Sequence, residues 1–179
     1  MKFVVQTLLG VLLVVANPAF AAATAPTAET GSPSPAHVKA VQDLLSAMRI
    51  ENVLRGVAGR SHYPSDAQRK AVFAKIGMTP PAEIYQRMAP PLAHAISIDT
   101  AIEMTRFYNS PYGKQIIYKR DNSRAQIMIP GMVAAVPPEE KTERKRAAYV
   151  QASKELEDAE PVIDHEAFLL LQQINKGKR

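Results

Sequence analysis

Apolar residues between Ala36 and Arg55 fall at Val38, Val41, Leu44, Leu45 and Met48, followed by Val53, Leu54 and then Val57. The first five keep the three-and-four spacing of one face of an α-helix, which predicts an opening amphipathic helix. Gly56 and Gly59 loosen its far end. Ser65-Asp66-Ala67-Gln68 has the form of a capping box, in which the Ser65 hydroxyl and the Gln68 amide cover backbone donors that a first turn leaves unpaired. The helix it opens is expected to reach about Ile76, with Gly77 ending it in a left-handed conformation. Thr79-Pro80 predicts the next start, a hydroxyl cap followed by a residue whose missing N–H is not needed there. Ile84, Met88 and Leu92 share a face of that helix, and Pro90-Pro91 predicts a kink or an interruption.

The pattern continues as a helix over Asp99 to Tyr108, with Ile102 and Phe107 inward and Glu103 and Arg106 outward. A further helix from Pro111 to about Arg120 carries Tyr112, Gly113, Ile116 and Ile117 on its apolar stripe. Glu139 to Glu160 predicts a long, charged helix behind Pro138, with Glu139 and Glu140 suited to the positive end of its dipole. Its apolar stripe is thin: Tyr149, Ala152, Leu156, Ala159. Pro161 is expected to break it, and Asp164 to cap a last helix bearing Phe168, Leu170, Leu171 and Ile174. No alternating run and no internal repeat interrupts this series. The predicted fold is all-α, an irregular bundle of six or seven helices.

The first residues follow a different rule. Met1-Lys2 leads into Phe3 to Ala16, broken only by Gln6 and Thr7, and Asn17-Pro18 precedes Ala19-Phe20-Ala21. A basic start, a short apolar core and small residues at the exit predict a secretory signal over residues 1–21, cut between Ala21 and Ala22. The run is shorter than the roughly 20 apolar residues a spanning helix needs. Residues 22–35, rich in Ala, Thr, Ser and Pro, read as a flexible leader. Residues 36–175 then form one helical domain, and 176–179 a basic tail.

The chain has no cysteine, which excludes a lipid-anchored lipoprotein and requires an exported fold to hold without disulfides. With no twin arginine before the apolar run, the general secretion route to the periplasm, or out of the cell, is expected. No later stretch is apolar enough to span a bilayer, so a soluble product is expected, not an integral membrane protein. The net charge of +5 drops by one when Lys2 leaves with the signal. What remains is scattered, whereas a nucleic-acid binder concentrates it in one stripe, so no nucleic-acid partner is expected.

The most distinctive stretch is Phe107-Tyr108-Asn109-Ser110-Pro111-Tyr112-Gly113-Lys114. Physically it spells helix, tight corner, helix. Phe107 anchors the first helix and Asn109 tolerates a left-handed end. Ser110 caps the second helix and Pro111 takes its first position. Gly113 removes a side chain one turn in, allowing a neighbouring helix close approach. Each residue thus has a structural role. This motif, the Ala89-Pro90 helix before it and the signal-plus-bundle layout resemble the bacterial envelope family catalogued as domain of unknown function 2059. The resemblance covers roughly Ala36 to Arg124, and Ala101 falls near the place of an acidic residue in that family. It implies an envelope location and a helical fold; no established activity comes with it.

Catalytic and cofactor patterns fail residue by residue. His165-Glu166 is followed by Leu169 where a zinc hydrolase helix needs its second histidine. None of the four histidines stands three residues after a glutamate, as a di-iron bundle requires. Gly59-Arg60-Ser61-His62 lacks the second glycine of a nucleophile elbow. No catalytic residue, metal site or cofactor is therefore assigned. Glu157, Glu160 and Asp164 share a face if the helix continues, and a solvated acidic patch explains them better than a cation site. Met88, Met104, Met128 and Met132 read as core filler in preference to a soft-metal site.

One apolar stretch, Ile127 to Val136, has two readings. Pro130-Gly131 forbids a regular helix through it. It either packs against Phe107, Ile116 and Ile117 as core, or part of it, with Met128, Met132 and Val133, lines a groove for an apolar ligand or partner helix. The expected function is accordingly a non-enzymatic envelope protein that binds a protein or an apolar ligand. The alternative is a small envelope hydrolase whose carboxylates are brought together by the fold.

Overall fold

A computed structural model describes residues 32–122 and 136–177. The signal-cleavage residues Ala19, Ala21 and Ala22, and the groove residues Met128, Met132 and Val133, lie outside the described residues. Among the latter the chain is all-α, with eight helices: α1 (Pro35–Ala47), α2 (Ile50–Arg60), α3 (Asp66–Met78), α4 (Pro81–Leu92), α5 (Ile98–Asn109), α6 (Pro111–Asn122), α7 (Pro138–Glu143) and α8 (Ala147–Lys176). No helix among the described residues is long and apolar enough to cross a membrane.

Helix α5 packs against α1, α6 and α8, and α8 reaches past it to α2, α3 and α4. Phe107, near the end of α5, meets Tyr149 at the start of α8, while Thr100 near the start of α5 bonds Glu155 further along α8. The two helices therefore run antiparallel. Val41, Leu44, Leu45, Ile50, Leu54, Leu92, Ala101 and Ala167 are fully removed from solvent between these layers. Each such leucine or isoleucine contributes about 1.5–3 kcal/mol by burial. Met88 and Met104 lie in the same core.

Several boundaries differ from the expected ones, each for a local reason. The opening helix divides at Met48-Arg49 rather than loosening at its glycines, because Arg49 turns left-handed (φ 53°, ψ 53°) and α2 restarts at Ile50. Gly77 stays inside α3, which ends at Thr79 in an extended conformation (ψ 121°). The residue before Pro80 is pushed out of the helical region, so the proline and not the glycine ends α3. Thr79 does not cap α4: its hydroxyl donates back to the Lys75 carbonyl (2.9 Å), and Pro81 starts the helix behind Pro80. Pro90 and Pro91 sit in the last turn of α4, which closes at Leu92.

The largest correction concerns the C-terminal half. The expected helix over Glu139 to Glu160 is two helices, the short α7 and then α8, separated by a turn at Arg144 to Arg146. Pro161 does not break α8, which runs through it for 30 residues, so Asp164 caps nothing. Pro161 and Glu157, whose carbonyl loses its partner, are both exposed, so water can serve that carbonyl. Ile102, expected inward, is exposed, as is Phe168 on α8. Glu103, expected outward, is mostly covered by its arginine partners Arg106 and Arg146.

Candidate functional site

The α5–α6 corner is built by the motif residues. Ser110 is extended between the helices, its Oγ accepts from the Gly113 amide (3.0 Å), and its own amide donates to the Phe107 carbonyl (3.0 Å). Asn109 is the last residue of α5 and is not left-handed; among described non-glycine residues only Arg49 is. Gly113 lies directly under the end of α5. A Cβ there would stand 2.1 Å from the Phe107 carbonyl oxygen and 2.7 Å from the Tyr108 Cα. Phe107 is buried beneath three tyrosines, with ring centroids 5.2 Å from Tyr108, 6.1 Å from Tyr112 and 4.8 Å from Tyr149. Partial burial raises the Tyr108 and Tyr149 hydroxyls above the ordinary phenol range.

Beside this corner lies a groove of about 940 Å³, bounded by the end of α1, the second half of α5 and the length of α6. Ile117, nearly buried, lies at its base with Ala47 and Tyr108, both half-buried. Tyr118 stands at its edge, 65% exposed. Its volume falls in the range of about 300–1,000 Å³ usual for small-molecule sites.

The charged groups around it differ in how firmly they are held. Asp43 is paired with Lys39. Thr105 donates its hydroxyl to the Ala101 carbonyl (2.6 Å). Arg49, with a side chain 55% exposed, reaches Glu51 only at 3.8 Å and Asp121 only at 3.7 Å. Asp121 is already served by Asn52 Nδ2 (2.7 Å) and Arg120 (3.0 Å), and Arg120 also donates to the Met48 carbonyl (2.5 Å). Helix α6 thus staples the turn from which Arg49 projects. Lys114, the last motif residue, is exposed at the opposite end of α6.

The acidic residues are dispersed over other partners. Glu155 closes the start of α5, accepting from the Ser97 amide (2.6 Å), the Ser97 hydroxyl (3.0 Å) and the Thr100 hydroxyl (2.8 Å). Asp158 pairs with Lys154 (2.8 Å) and Asp164 with Arg60 (3.6 Å). Glu103 and Glu143 share Arg106 and Arg146 across the gap between α5 and α7. Glu140 accepts from Arg144 Nε (2.9 Å) and from the Tyr112 hydroxyl (2.9 Å). Arg106 holds the Glu143 carboxyl, and Arg144 with Tyr112 the Glu140 carboxyl, below the usual glutamate range. No group of three or more histidine, aspartate or glutamate side chains among the described residues is placed to hold a metal ion.

Sequence reasoning missed Arg49 and the groove. The available signal was a phase shift, because Ile50 follows Met48 by two residues where a continuous helix face needs three or four. No protein-family model matches the chain, and no curated protein or solved structure matches it.

Proposed function

We propose that this is an exported envelope protein that works by binding an apolar or amphipathic partner in the groove between α1, α5 and α6, without catalysing a reaction. The observation that carries the reading is the groove itself: a hollow of about 940 Å³ with Ile117, Ala47 and Tyr108 at its base. Export rests on the signal segment ending in Ala19-Phe20-Ala21, and the resemblance to the envelope family of unknown function 2059 agrees with that compartment. The hydrolase alternative draws no comparable support. Glu103, Glu140 and Glu143 are each engaged by arginine, and Glu155 is spent on capping α5.

The test is uptake of the neutral apolar dye Nile red by the full chain and by Tyr118→Glu. Tyr118 is exposed, so its replacement leaves the core intact. The wild-type chain should brighten the dye saturably, and Tyr118→Glu should weaken binding about tenfold or more. Equal uptake by both proteins, or none by the wild type, overturns the groove reading.

A further inference from the structure

We infer that the groove takes a single-chain anionic amphiphile, a free long-chain carboxylate whose head is held by Arg49 and whose chain lies over Ile117. The inference rests on the groove reading above and adds the chemical class of the ligand.

Two independent observations point to Arg49. The first is its backbone. It is the one non-glycine residue with positive φ among those described. A left-handed residue at a helix end is ordinarily glycine or asparagine, because any other side chain crowds the following carbonyl. An arginine kept there carries a conformational cost that a glycine would not. Its two carboxylate neighbours lie at 3.8 and 3.7 Å, beyond hydrogen-bonding distance. The second observation is charge. Among the lining residues, Arg49, Lys114 and Lys119 outnumber the one carboxylate, Asp43, which Lys39 already neutralises, and the Arg49 neighbours Glu51 and Asp121 lie outside that lining. The rim is therefore complementary to an anion, and a guanidinium matches the paired oxygens of a carboxylate better than a point-charge ammonium does.

The shape selects a free ligand over a bilayer. Ile117 lies below the surface with only 4% exposure, within reach of an inserted chain but not of a flat membrane. Tyr118 is the one strongly exposed large apolar residue at this rim, too little to seat the chain on a membrane face. Arg49 and Lys114 stand at opposite ends of the groove, so a head held by Arg49 directs the chain along α6.

The deciding variant is Arg49→Gly. Glycine suits the left-handed turn better than arginine does, so the variant should fold at least as well while losing the guanidinium. The probes are the fluorescent fatty acid cis-parinaric acid and its methyl ester, titrated into the full chain. The wild type should bind the acid at least tenfold more tightly than the ester, a difference of about 1.4 kcal/mol or more. Arg49→Gly should lose that preference and bind acid and ester alike, with ester affinity unchanged, and Lys114→Gln should shift acid affinity less than threefold. Retention of the acid preference by Arg49→Gly overturns the inference. So does binding to phosphatidylglycerol vesicles that depends on Arg49, which would make the site a membrane contact. If neither parinaric probe binds a chain that still takes up Nile red through Tyr118, this inference falls and the groove reading stands. If Nile red also fails to bind, both fall.

Discussion

Gly113→Ala should be severely destabilising, although alanine is the better helix former. In an open helix the change gains about 1 kcal/mol. At position 113 the new methyl would lie 2.1 Å from the Phe107 oxygen, 2.7 Å from the Tyr108 Cα and 2.8 Å from the Phe107 carbonyl carbon. All three are backbone atoms, so no side-chain rotation relieves the clash. The α5–α6 corner must open by about an ångström, stretching the Ser110 cap at 3.0 Å and lifting Phe107 from Tyr112 and Tyr149. Overpacking of this kind costs roughly 1–3 kcal/mol or more, and loss of a cap about 1. After the propensity gain the net cost is about 1–3 kcal/mol, a sizeable part of the roughly 5–15 that a domain has. Melting followed by circular dichroism should show a fall in Tm of about 5 °C. Gly59→Ala is the control: it is exposed in α2 and a Cβ there meets nothing within 4 Å. It should melt at or slightly above the parent. A Gly113→Ala protein that does the same refutes the close-approach argument.

Pro161→Ala should stabilise. Proline in a helix interior costs about 3 kcal/mol relative to alanine, and the looser unfolded chain returns about 0.4–1 of that, for a net gain of about 2 kcal/mol and a Tm higher by about 5 °C; a lower Tm would mean that the exposed ring has a packing role. Acid should release α7 before the bundle. That helix has no buried residue, and Glu140 and Glu143, both held below the ordinary glutamate range, tie it to Tyr112 and Arg106. Carboxyls lowered in the fold lend stability that is complete above the unfolded value of about 4.3 and disappears as pH falls through the folded values. Amide exchange should therefore show α7 losing protection near pH 3 while α5 keeps it, and equal protection of α7 at pH 7 and 3 would refute the electrostatic attachment. Tyr85 and Tyr112 should be late in an alkaline tyrosinate titration, at about 12, because burial and the partners Glu51 and Glu140 disfavour the phenolate; the stability tied to these raised values persists up to about pH 10 and is lost toward 12, and Glu140→Gln should bring Tyr112 earlier.

How legible each part was depended on whether its cause was local. The Ser65 and Ser110 caps, the Pro111 start and the close approach at Gly113 all depend on residues within a few positions of one another, and all could be written down from the chain. The fate of Pro161 could not. Whether a proline breaks a helix depends on what the helix rests against, and α8 has Leu156, Ala159, Ile163 and Ala167 buried against its neighbours on either side of the proline. That packing holds the helix across a missing hydrogen bond on the solvent side. Gly77 failed in the opposite direction, since a strong local signal three residues on, Pro80, decided the end of α3.

The groove was illegible for a further reason: its residues come from three separate stretches, none of them unusual alone. Tyr118 reads as an ordinary exposed aromatic and Arg49 as an ordinary charged residue in a helix. Concavity arises where two local features meet. Gly113 draws α6 tightly under the end of α5, and the left-handed Arg49 swings the end of α1 away from the start of α2 while Arg120 and Asp121 pin that turn to α6. The two features therefore bound the same hollow from opposite ends. It follows that binding and stability should separate by position. Pro161→Ala, remote from the groove, should change Tm without touching Nile red affinity. Gly113→Ala, measured at a temperature where it is still folded, should weaken dye binding as well, because the wall formed by Tyr108 and Ile117 cannot keep its spacing once the corner opens. Unaltered dye affinity in a folded Gly113→Ala protein would show that the corner and the groove are independent.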